Sequence, residues 1–174
     1  MKLSQAARLT LDRLPAFKQI DPAAIRTRLD ELLTVQRQRI ATLTASPNQA
    51  TWATVIDPME AMADEIQQLF GPLSHLHNVA DSDDLRDAYN HCIEQLSGYN
   101  AEIAQNAELY QCYEHIAAQA DFAERPAQEQ QLVNNSLRDF QLGGVNLNAP
   151  DQQSVNALSL ELGQLGNRFG EQLL

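Results

Sequence analysis

Apolar residues recur every three or four positions through almost the whole chain. Nowhere do they alternate with period two for long enough to need a sheet. Residues spaced this way share one face of an α-helix, so the pattern predicts a stack of amphipathic helices. After "LPAFKQID", Asp21 can cap a helix with Pro22 at its first position, and Ile25, Leu29, Leu32, Leu33, Ile40 and Leu43 follow. "TASPNQA" interrupts the pattern, because Ser46, Pro47 and Asn48 favour a turn. A second helix starts near Thr51-Trp52 or after Asp57-Pro58 and carries Met59, Met62, Ala63, Ile66, Leu69, Phe70, Leu73 and Leu76. Gly71-Pro72 lies inside that stripe and predicts a kink rather than a stop.

Asp81 or Ser82 supplies the next cap, with acidic residues in the first turn where the helix dipole favours them. Leu85, Tyr89, Cys92, Ile93, Leu96, Tyr99 and Ile103 form that helix's stripe, and a shorter one runs through Leu109, Tyr110, Tyr113 and Ile116. Pro126 opens a further helix with Leu132, Val133, Leu137 and Phe140 inward, closed by Gly143-Gly144. From Val155 the stripe continues as Leu158, Leu162, Leu165, Phe169 and Leu173. It runs to the last residues without a glycine stop, a basic final turn or a polar tail, which leads us to expect that the chain is part of a longer one. The expected fold is all-α, with about five to seven helices, no significant sheet, and no repeat of 30 to 45 residues that would indicate a helical solenoid.

Composition agrees with this. Glycine and proline number only seven each in 174 residues, and 44% of residues are apolar, within the range of soluble globular chains. The net charge of −11 is unevenly spread. Residues 1–46 hold eight Lys/Arg against four Asp/Glu, for +4, and the rest hold four against nineteen, for −15. So acidic a body repels phosphate backbones, which argues against a nucleic-acid partner. The two lysines, Lys2 and Lys18, lie outside any Gly-rich G-K-[ST] context, which excludes a phosphate-binding loop of the Walker type. Cys92 and Cys112 read as two buried free thiols with no C-x-x-C motif. "MKLSQAARLTLDRL" lacks the apolar core of a signal peptide, and no apolar run approaches the roughly 20 residues of a membrane span. A cytoplasmic chain without a membrane partner is expected.

Reactive chemistry is hard to find. His75 and His77 precede a run of aspartates, Asp81 to Asp87, which raises the question of a metal site. On a helix, a two-residue spacing puts the rings about 200° apart, so they cannot hold one ion. The aspartates are accounted for by the next helix start. His91 and Glu94 share a face, but the Glu-x-x-His order of carboxylate-bridged bundles does not occur. Glu114-His115 does not begin an H-E-x-x-H motif, and neither G-x-S-x-G nor a Cys/His signature is present. Trp52, Phe70, Tyr89, Tyr99 and Phe140 fall on or beside apolar stripes and read as core. No catalytic, cofactor-binding or metal-ligating residue is expected in this chain.

Six blocks taken in order carry a resemblance: "LPAFKQIDPAAI", "TWATVIDPMEAMADEI", "LFGPLSHLHNVADSDDLRDAYN", "LYQCY", "NNSLRDFQLGGVNL" and "LSLELGQLGNRFGEQLL". Together they resemble the N-terminal region of the thimet oligopeptidase family of zinc metallopeptidases, across about residues 14–174. "LRDF" followed closely by glycine, and the L-x-x-L-G-x-x-F pattern ending at Phe169, are the most telling. Residues 1–13 match the family poorly and read as divergent or as an expression-derived addition. The resemblance implies an almost wholly helical, two-lobed enzyme around a deep channel that admits short unstructured peptides. It implies that these helices help wall the channel. Zinc would be held by the two histidines of H-E-x-x-H and a downstream glutamate, none of which lies within these 174 residues. The expected partners are then the remainder of the same peptidase and, through it, short peptide substrates. A stand-alone helical interaction module without catalytic activity is the competing reading, and a metal-storing helical bundle the third.

Overall fold

Most of the helices begin where a neighbouring side chain satisfies their first backbone amides. The computed structural model describes residues 17–80 and 82–171. Among them are six α-helices and no strand: α1 (Pro22–Leu43), α2 (Asp57–Val79), α3 (Asp83–Ala104), α4 (Ala107–Ala117), α5 (Ala127–Leu142) and α6 (Ala149–Glu171). The Asp21 carboxylate accepts from the amides of Ala23 at 3.0 Å and Ala24 at 3.4 Å. The Ser82 hydroxyl accepts from Leu85 and the Asn106 side-chain carbonyl from Leu109, so Ser82 is the cap of α3. Asp81, the other candidate, lies outside the described residues.

Both expected starts of the second helix are realised, one leading into the other. Thr51 and Thr54 form a reciprocal capping box, and a single wide turn over Trp52–Ile56 leads into α2 at Asp57. Pro58 has no amide to offer the i−4 carbonyl of Thr54, which is a physical reason for the ladder to widen there, with Asp57 bonding back to Trp52. The indole Nε1 donates to Asp57 Oδ1 at 2.7 Å and fixes the join. Downstream, α2 continues through Pro72 to Val79 without stopping.

Two cores form. Ile25, Leu29, Leu33 and Ile40 of α1 pack with Met62 and Leu73 of α2 and with Leu85, Ala88, Cys92 and Tyr99 of α3. The second core joins Val55 and Ile56 of the wide turn to Leu109, Cys112, Tyr113 and Ile116 of α4 and to Val133 and Phe140 of α5. Met59 and Ile103 pack against both, so the cores are continuous rather than separate domains.

Gly143 and Gly144 end α5 for two different reasons. Gly144 adopts φ +91°, which a side chain disfavours, and a Cβ on Gly143 would come within 2.5 Å of the Ala104 methyl at the end of α3. The chain then enters α6, anchored only by its first turns. Gln152 Nε2 donates to Gly144 O, and the amides of Gln105 and Asn156 bond reciprocally at 2.8 and 3.0 Å. Beyond Asn156 every α6 side chain described is exposed.

Candidate functional site

The four histidines go to separate places. His75 lies against the Phe17 ring, with centroids 5.2 Å apart, while His77 stacks face to face on Tyr89 at 4.0 Å. Their different partners follow from the helical geometry that turns the two rings apart. His91 Nε2 lies 3.0 Å from Asp30 Oδ1 and ties α3 to α1, and His115 is half-buried on α4. Among the described residues no three His, Cys, Asp or Glu side chains converge on a point where an ion could sit. The donor set among the described residues therefore does not fit the zinc that the resemblance implies for the family.

Both thiols sit in the cores, fully buried. Burial, helped by the Asp30 charge, pushes the Cys92 thiol up to about 11, and burial raises Cys112 as well. A nucleophile needs the opposite shift. Burial likewise pushes the Tyr99 and Tyr113 phenols up to about 12, so neither supplies a base near neutral pH.

A polar hub within the first core has little local signature in the sequence. Gln36, fully buried on α1, donates from Nε2 to Met62 O at 2.9 Å and to Glu65 Oε2 at 3.2 Å, both on α2. Its Oε1 accepts from the Tyr99 hydroxyl of α3 at 2.9 Å. Arg39 holds both Glu65 oxygens at 2.9–3.0 Å, and Arg37 grips Glu102 while lying over the Tyr99 ring. One side chain thus sets the register of three helices.

The Glu65 carboxyl is held below its ordinary value by the Arg39 guanidinium first and the Gln36 amide second. The folded chain therefore binds fewer protons here than the unfolded one. Its stabilisation is complete above the ordinary carboxylate value of 4.5 and is lost as pH falls through the lower folded value. In acid titrations of the melting temperature, Glu65→Gln is expected to lower stability near neutral pH and to flatten the decline below about pH 4.5. A parallel-shifted, equally steep acid limb would contradict this assignment.

A concave surface runs between α3 and α6. A groove of about 790 Å³, bordered by Ser97, Ala101, Gln105, Asn156 and Leu160, continues into one of about 440 Å³ that shares Glu94, Ser97 and Leu160 and ends at Arg168. Space is open above Gly98 on one wall and Gly163 on the other. The lining offers amides, hydroxyls and small side chains, which suit contact with a peptide backbone, and it holds no nucleophile–base pair. Such a surface is suited to binding and orienting a chain.

The chain is similar to known proteins along most of its length. The chain is 32% identical to oligopeptidase A of Haemophilus influenzae and 30% identical to that of Escherichia coli, in each case over 95% of this chain and 24% of the relative. The Salmonella typhimurium oligopeptidase A is 29% identical over the same shares. The chain thus spans about a quarter of the length of these relatives. Residues 29–152 match the profile of the neurolysin/thimet oligopeptidase N-terminal domain, from mid-α1 into the first turn of α6 and so across both cores. The chain belongs to the neurolysin/thimet oligopeptidase family, as an N-terminal domain of that family.

Proposed function

We propose that the chain, over residues 14–174, is the N-terminal helical domain of a zinc-dependent metallo-oligopeptidase that hydrolyses short peptides in the cytoplasm. Its part is to wall and gate the substrate channel, while H-E-x-x-H and the zinc belong to the remainder of the peptidase. The family match across residues 29–152 carries this reading. The α3–α6 groove, with its amide-rich lining, is the surface best suited to border a peptide in transit. The acidic balance disfavours a nucleic-acid partner, and among the described residues no helix is long and apolar enough to cross a membrane.

The purified 174-residue chain is expected to leave an internally quenched short peptide uncleaved, with or without added zinc. Zinc-dependent turnover would put the active site within these residues and overturn the assignment. The encoding gene separates this reading from a stand-alone interaction module. An in-frame H-E-x-x-H several hundred codons beyond Leu174 supports the peptidase, and a stop codon directly after Leu174 supports the module.

A further inference from the structure

We draw no further inference here: the strongest candidate, the groove of about 730 Å³ between α1 and α2 bordered by Ile25, Arg28, Glu31, Val35, Glu65 and Pro72, mixes apolar side chains with charges of both signs, and nothing in the structure shows what covers it.

Discussion

Gln36→Ala is expected to destabilise the chain by about 3 kcal/mol, a large effect for a polar residue. Two contributions add. Truncation leaves a cavity at a fully buried position, and it removes the acceptor of the buried Tyr99 hydroxyl. A second variant separates them. Gln36→Met keeps most of the volume and still strands the Tyr99 hydroxyl, so it should recover only part of the loss. Gln36→Met/Tyr99→Phe removes both polar partners and should be more stable than Gln36→Met alone. Chemical denaturation read by circular dichroism measures all three. A Gln36→Met single variant as stable as the unmodified chain would show that the hub holds nothing.

Leu29→Ala is expected to cost about 2–5 kcal/mol, since Leu29 is fully buried in the first core. Which signal moves is more informative than the size of the loss. Trp52, the chain's one tryptophan, packs against the second core, with the Arg125 guanidinium 4.6 Å above its ring. Because Met59 and Ile103 belong to both cores, the two should unfold together. In urea, Trp52 fluorescence and circular dichroism should therefore shift to lower denaturant by the same amount in Leu29→Ala. A fluorescence midpoint that stays in place would mean that the cores unfold separately.

Much of this architecture could be read from the chain. Asp21-Pro22, Ser82 and Gly143-Gly144 mark helix ends because each satisfies, or relieves, backbone groups that a helix leaves unpaired. The burial of both cysteines also matches what the habit of cysteine suggests. Gln36 was harder, since glutamine is usually exposed and no periodicity rule assigns it to a core. The only sign was positional. The first stripe falls silent between Leu33 and Ile40, and Gln36 stands three after one and four before the other. The wide turn before α2 left a comparable trace in Pro58, which interrupts the ladder where two helix starts competed. The apolar stripe of α6 was visible, but a stripe shows which face wants covering, not whether the chain covers it. Leu165 and Phe169 are indeed exposed, while Leu173 lies outside the described residues. The groove between α3 and α6 depends on how distant helices meet and has no local signature.

The depth at which both sulfurs lie has a practical consequence. Burial pushes the Cys92 thiol up to about 11, so it stays protonated near neutral pH, and solvent does not reach it. Cys112 is equally enclosed and raised in the same direction. Toward maleimides and other thiol reagents the folded protein behaves as though it were cysteine-free. A single cysteine introduced on the exposed face of α6 can then carry a fluorophore or spin label with neither native sulfur replaced, and the cores keep their packing while distances across the molecule are measured.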